Sequence, residues 1–162
     1  MQTIDHLIIF AADYLLYLLG LIFLLLILFS EKSRQAATLK IFIAALFIGF
    51  VIALVGGRLF YDPRPFVVEH VKPLVAHNSD NGFPSDHTLL AMTIALTVLI
   101  NDKKLGSSLL VAALLIGLAR VLAKVHHPVD ILGSVLIAVL AFYLALSVVK
   151  KFPPKAIAPR NN

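Results

Sequence analysis

Long apolar stretches alternate with short polar clusters along this chain, and the spacing predicts helices that cross a membrane. Leu7 to Phe29 is apolar apart from Asp13. As a helix it rises about 34 Å, enough to cross a hydrocarbon layer of about 30 Å. The polar stretch Ser30 to Thr38 ends this span, and Leu39 to Gly57 makes the second, with Gly56-Gly57 as its end. Three more follow over Ser85 to Ile100, Ser108 to Ala123 and Val129 to Val149, with Asn101 to Ser107 as a polar turn. The first span is too long for a signal-peptide core. It lacks a basic segment before it and a small-residue cleavage site after it, so it is read as structure. The expected fold is all-α, an integral membrane bundle of about five spans in a single domain over residues 1–162. Asp5 and Asp13 are read as an acidic flank and an outward-leaning structural acid. The segment 150–162, with Pro153-Pro154, is expected to be a flexible cytoplasmic tail.

One region breaks the pattern. Arg58 to Phe83 holds Pro63, Pro65, Pro73 and Gly82 among charged residues. It predicts a long loop with one short interfacial helix over Phe66 to Val71. A loop of that length in a compact chain is usually functional.

Composition narrows the class. Hydrophobic residues make up 60% and charged residues 14%, against about 45–50% and about 25% in ordinary soluble domains. A water-soluble fold of this size cannot hide so much apolar surface. The absence of cysteine excludes disulfides, thiolate metal sites and thiol catalysis. The net charge of +5 raises the possibility of nucleic acid, so the positions of the 14 basic residues decide. With five spans, Lys32, Arg34, Lys40, Lys103, Lys104, Lys150, Lys151, Lys155 and Arg160 fall on one side. Arg58, Arg64, Lys72, Arg120 and Lys124 fall on the other. The positive-inside rule then puts the N-terminus outside and the C-terminus in the cytoplasm. The charge excess reads as topology, the expected partner is the bilayer, and nucleic acid is not expected.

Span parity brings three polar clusters to the outer surface. They are Arg58 to Phe66, Phe83 to Thr88, and Arg120 through His126, His127 and Asp130. An arginine within an apolar span, such as Arg120, costs about 2.5–3.5 kcal/mol when central and so tends to have a function or a partner. Arg58, Arg64 and Arg120 converging on one spot would repel one another unless an anion sits between them, and guanidinium forks suit phosphate. Ser85, an expected N-cap, opens a helix whose free N–H groups attract anions. Asp130, four residues after His126, can fix the His126 tautomer and leave its other nitrogen as nucleophile or base, with His87 as a second histidine. His6, His70, His77 and His127 are read as surface or interfacial, with His127 the one rival to His126.

These clusters resemble the signature of the type 2 phosphatidic acid phosphatase superfamily of membrane lipid phosphatases. Arg64-Pro65 and Pro84-Ser85-Asp86-His87 stand for its first two motifs, and Arg120, five residues, His126, three residues and Asp130 keep the third spacing in full. The chain departs in the interval between Arg58 and Arg64, which is one residue short, in Asp86 where the family has glycine, and in Ala119 where it has serine. Phe-Pro-Ser-Asp-His-Thr with Pro-Arg-Pro-Phe is similar to the bacitracin-resistance branch of bacterial undecaprenyl-diphosphate phosphatases. The resemblance implies a six-helix core, where the hydropathy pattern predicts five. It implies His126 as the nucleophile that becomes a phosphohistidine, Asp130 as its orienter, and His87 as acid and then base. Arg58, Arg64, Ser85 and Arg120 would be the phosphate-binding set, with no metal and no cofactor. It further implies a lipid phosphate or polyphosphate substrate and a bacterial inner membrane with the site on the extracytoplasmic face. Other readings are a glycerolipid phosphatase acting on phosphatidylglycerophosphate or phosphatidic acid, a haem or quinone protein, and a non-catalytic lipid-binding or transport protein. The haem reading conflicts with histidines placed at span ends beside arginines.

Overall fold

The computed structural model describes residues 2–151, which form an all-helical bundle. Helix α1 (Gln2–Ile9) runs through one π-helical turn, Phe10–Tyr14, into α2 (Leu15–Leu28), so that Gln2–Leu28 is one continuous span. Helices α3 (Lys32–Leu59), α6 (Lys103–Leu122) and α7 (Pro128–Lys151) are also long and apolar enough to cross a membrane. Helix α5 (Asp86–Leu99) is shorter, and α4 (Pro65–Val68) is a single turn in the long loop. The five-span expectation therefore describes the bundle, and the protein is a multi-pass membrane protein. The expected flexible tail lies outside the described residues beyond Lys151, and α7 is helical through Lys150 and Lys151.

Hydropathy located the spans but not the ends of the helices. Helix α3 begins at Lys32, seven residues before its apolar run, and α6 begins at Lys103, five before Ser108. Lys, Arg, Gln and Ala are good helix formers, so a polar sequence marks the edge of lipid without ending the helix. The true start of α6 is Asp102, whose carboxylate accepts from the Leu105 N–H at 3.0 Å, an N-cap of ordinary geometry. The expected helix over Phe66 to Val71 shrinks to Pro65–Val68, opened by a proline at its first position.

Helix α5 is the axis of the bundle. Every residue from Thr88 to Val98 except Leu90 is buried, because α3, α6 and α7 surround it. Its length of about 21 Å suits a helix enclosed by protein rather than one that must match lipid. Thr93 and Thr97 donate to the carbonyls of Leu89 and Thr93 at 2.8 Å, which satisfies their hydroxyls inside an apolar core. Helices α3 and α7 meet where Gly49 faces Ala141, and both helices bury small residues, Ala45 and Ala53 on α3 and Ala138 and Ala145 on α7. Small residues let two membrane helices approach where lipid removes the hydrophobic drive between them. Outward faces carry Leu24, Phe47, Leu54, Leu136 and Leu140, exposed here and suited to acyl chains.

At one end of the bundle, Asn101 donates to Thr38 at 2.9 Å and ties the α5–α6 turn to α3. At the other end, the loop between α3 and α5 packs on the α6–α7 turn, with the Phe66 and Leu74 N–H groups donating to Lys124 and Ala123 carbonyls. The polar clusters predicted to share a face do share it.

Candidate active site

The C-terminus of α6 delivers His126. Lys124 takes a left-handed conformation (φ 65°), the Lys124 N–H donates to the Val121 carbonyl, and the Val125 N–H donates to that of Arg120 at 3.2 Å. This is a Schellman closure, unusual in having lysine where glycine is common. It ends α6 sharply, buries Val125 and turns His126 into the bundle. Pro128 then opens α7 and places Asp130 in its first turn, fully buried. Asp130 Oδ2 lies 3.2 Å from His126 Nδ1 and accepts from the His127 N–H at 2.9 Å. His126 thus carries its proton on Nδ1 toward the carboxylate, and Nε2 holds a lone pair.

Arg64 faces that lone pair. Its Nη1 lies 3.3 Å from His126 Nε2 and donates to the Val125 carbonyl at 2.8 Å. Its Nε pairs with Asp80 at 2.8 Å and its Nη2 donates to the Asn81 carbonyl at 3.2 Å. Most of its five donors are therefore engaged within the loop, so Arg64 both frames the site and offers a guanidinium to an anion. Asn81, which sequence reasoning passed over, organises the loop. Its amide donates to the Gly57 and Phe60 carbonyls, and its oxygen accepts from the Asp62 and Phe83 N–H groups. An Asn-Gly pair before an expected helix start was the available signal.

Two adjoining cavities open at this end. The first, of about 570 Å³, is lined by His126, His87, Arg58, Arg64, Asp86 and His77, among others. The second, of about 580 Å³, is lined by Arg120, Asp13, Tyr14, Tyr17, His77 and His87, among others. The three arginines do not meet at one spot as expected. Arg58 and Arg64 border the cavity that holds His126, and Arg120 borders its neighbour, with His77 and His87 common to both. Arg58 is exposed at the rim, and Asp86 is exposed within the first cavity. Ser85 occupies the N-cap backbone position of α5, but its hydroxyl does not cap the helix. It is fully buried and accepts from Thr88 Oγ1 at 3.2 Å, while its carbonyl accepts from Ser134. Thr88, one turn along the same face of α5, offered a nearer partner than the first-turn N–H groups.

Asp13 is not the outward-leaning acid expected. The π-helical turn carries it toward α6, where Arg120 Nη1 donates to it at 3.1 Å. Arg120 is only 2% exposed, and its Nε and Nη2 are buried without a protein partner. An extra residue in one turn is a common way to redirect a helix face at a functional site, and nothing in the hydropathy of the first span signals it.

His77 and His127 also differ from their reading as surface groups. His127 Nδ1 lies 2.9 Å from Asp62 Oδ2. Asp62, His127 and Asp130 bring donor atoms within 4.8 Å of one another, the one grouping among the described residues with spacing for a cation. In this arrangement hydrogen bonds join them: Asp130 Oδ2 is shared by both histidines, and His127 is held by Asp62. Burial, then the nearby Asp130 charge, raises the Asp62 carboxyl above its usual range.

Gly82 backs this cluster. A Cβ there would lie 2.9 Å from Asp130 Oδ2 and 3.1 Å from the Asp62 carbonyl. Gly82→Ala is expected to displace Asp130 and with it His126, lowering kcat by about 10²-fold, since small misplacements of reacting groups cost that much. Steady-state kinetics beside a thermal melt checks it: a normal kcat would show that the cluster yields without consequence.

Burial lowers the basicity of His126, and the Arg64 and Arg120 charges add to that, against the opposing bond from Asp130. The ring therefore stays neutral to pH values below the ordinary 6.5 of imidazole. An NMR titration of the His126 ring, assigned by its loss in a His126 variant, should show an inflection below 6.5. An inflection above 6.5 would mean that Asp130 outweighs burial. The linkage sign follows: His126 binds a proton more weakly folded than unfolded. Its contribution to stability is present above 6.5 and is lost as pH falls toward the lowered value.

A bundle of membrane-spanning helices, with a histidine-aspartate pair and arginines around a polar cavity at one end, defines the class of helical membrane phosphatases that work on phosphoryl groups. The PAP2 superfamily model matches residues 38–154, and the chain belongs to that superfamily. It is 35% identical over 146 residues to undecaprenyl-diphosphatase BcrC of Bacillus subtilis (strain 168), covering 88% of this chain and 74% of that protein. Against a Bacillus licheniformis protein named bacitracin transport permease protein BcrC, it is 31% identical over 82% of this chain and 65% of the other. The crystal structure of Aquifex aeolicus LpxE superposes with a TM-score of 0.74 at 28% identity, covering 91% of this chain and 87% of that one. The protein is a membrane lipid phosphatase, a phosphoric ester hydrolase of this superfamily.

Proposed function

We propose that the enzyme removes the terminal phosphate of undecaprenyl diphosphate and releases undecaprenyl phosphate, through a phosphohistidine on His126. The observation that carries this reading is the His126 ring, with Nδ1 on Asp130 and Nε2 at an arginine-lined cavity. The Nε2 lone pair attacks the terminal phosphorus and the bond to the bridging oxygen breaks, its electron pair leaving with the lipid phosphate. His87, which lines the same cavity, gives that oxygen a proton. It then takes one from water as the water oxygen attacks phosphorus, and the P–N bond breaks to release inorganic phosphate. Arg58 and Arg64 offset the charge on the phosphoryl oxygens at His126 and Arg120 acts from the adjoining cavity on the leaving phosphate, work that a metal does in other phosphatases. Ser85 supplies the helix start of α5, whose dipole favours the anion.

The excess of basic residues on the opposite side supports an extracytoplasmic site in a bacterial inner membrane. The name of the Bacillus subtilis relative, an undecaprenyl-diphosphatase, supports the diphosphate lipid as substrate. The test is a side-by-side assay of undecaprenyl diphosphate, phosphatidylglycerophosphate and phosphatidic acid in EDTA-washed vesicles. Fastest turnover of undecaprenyl diphosphate, unaffected by chelation, is expected. Preference for either glycerolipid would overturn the substrate, loss of turnover in EDTA the metal-free mechanism, and phosphate binding without any turnover the enzyme itself.

A further inference from the structure

His77 is the unassigned group with the most telling position. It sits in the loop between α4 and α5 and is pinned on both sides. Val75, two residues earlier, is buried against Ala119, Ala123 and Val125, and Asp80, three residues later, is tied to Arg64. Its ring stands edge-on to that of His126, with centroids 5.9 Å apart and planes at 82°. Like His87, it lines both cavities. Its Nδ1 is buried without a side-chain partner among the described residues, and the ring lies against the Asn78 backbone. The half-buried ring borders two arginine-bearing cavities beside His126, a position from which its cavity-facing edge can meet a ligand.

The ring is also neutral. Burial, then Arg64 and Arg120, brings it down to about 4. A neutral imidazole gives an anion one N–H and adds no charge that a departing product must later escape. The terminal phosphate must meet His126 in the first cavity. In a diphosphate, the second phosphate would lie one bridging oxygen further, toward the neighbouring cavity that His77 and Arg120 both line.

We propose that His77 donates a hydrogen bond to the phosphate that leaves with the lipid, so that the site distinguishes a diphosphate from a monophosphate. This rests on the phosphatase reading above. With a monophosphate the leaving group is an alcohol, and His77 has no second phosphate to hold. His87 retains the proton on the bridging oxygen, and His77 touches only non-bridging oxygens of the leaving group.

The test uses the full chain in lipid vesicles, with a polyprenyl diphosphate and the monophosphate of the same tail. His77→Ala should lower kcat/KM for the diphosphate about tenfold more than for the monophosphate, the cost of one hydrogen bond to a charged group. His77→Gln, which keeps an N–H donor, should restore most of the difference. A structural role would lower both substrates alike, and an equal loss, or no loss, overturns the proposal. Inhibition by methylenediphosphonate and by inorganic phosphate is measured on the same variants. If the wild type turns over no lipid diphosphate, the substrate reading has failed. The His77 contact then stands or falls on whether His77→Ala abolishes the preference for diphosphonate.

Discussion

His126→Ala abolishes turnover, by at least about 10⁴-fold, and eliminates any acid-labile phosphoenzyme. The effect is expected to be that large because no other side chain can take the place of Nε2. His127 points the other way, its Nδ1 on Asp62, and His77 and His87 have no carboxylate on their rings to fix a tautomer. The substitution should leave the fold standing. Arg64 Nη1 keeps its bond to the Val125 carbonyl, and Asp130 keeps the His127 N–H. Quenching the enzyme with labelled substrate and following acid and alkaline stability of the bound phosphate checks this. An acid-labile phosphoenzyme surviving in the variant would assign the nucleophile to another residue, and a melt unchanged from wild type would confirm that chemistry was lost and not structure.

Arg120→Ala should cost about 10³–10⁵-fold in kcat, the range seen when an arginine that offsets transition-state charge is removed. The magnitude follows from its burial and from two guanidinium nitrogens that have no partner among the described residues, since a charged donor in a site shielded from water acts with little screening. Arg120→Lys should recover little, because one ammonium cannot hold Asp13 with one nitrogen and serve an anion with two others. Kinetics of both variants, with a thermal melt as control, make the test. If Arg120→Lys retained wild-type kcat, the charge alone would suffice and the fork geometry would have no catalytic part. A half-exposed Asp13 left without its partner can be solvated, so the stability loss should stay well below that of an uncompensated buried charge.

The candidate site was legible where residue types stand at fixed spacing across a short connection. Arg120, His126 and Asp130 lie on the end of α6, its turn and the start of α7, and a connection so short leaves few ways to arrange them. The α5 start could be placed for the same reason, since Pro84-Ser85 before an apolar run stops one conformation and begins another. His77 could not be found this way. Its loop has no periodicity, and the ring reaches His126 only because Val75 and Asp80 are anchored to parts of the chain far away in sequence. Asp13 was hidden for a different reason. A lone acid in a span reads as a structural residue until a π-helical turn and a neighbouring helix show which way it faces.

By itself the sequence determined that this is a membrane bundle, where its apolar helices lie, and that its three polar clusters share one end. Those properties follow from the length of apolar runs and from parity, which need no knowledge of packing. Only the tertiary structure decided that the arginines divide between two cavities, that the Ser85 hydroxyl bonds the Thr88 side chain in place of capping α5, and that His77, Asp13 and Asn81 line those cavities. Each of these depends on which side chains are nearest in space. In a chain where most helix faces are apolar, packing at close range sets those neighbours, and hydropathy carries no information about it.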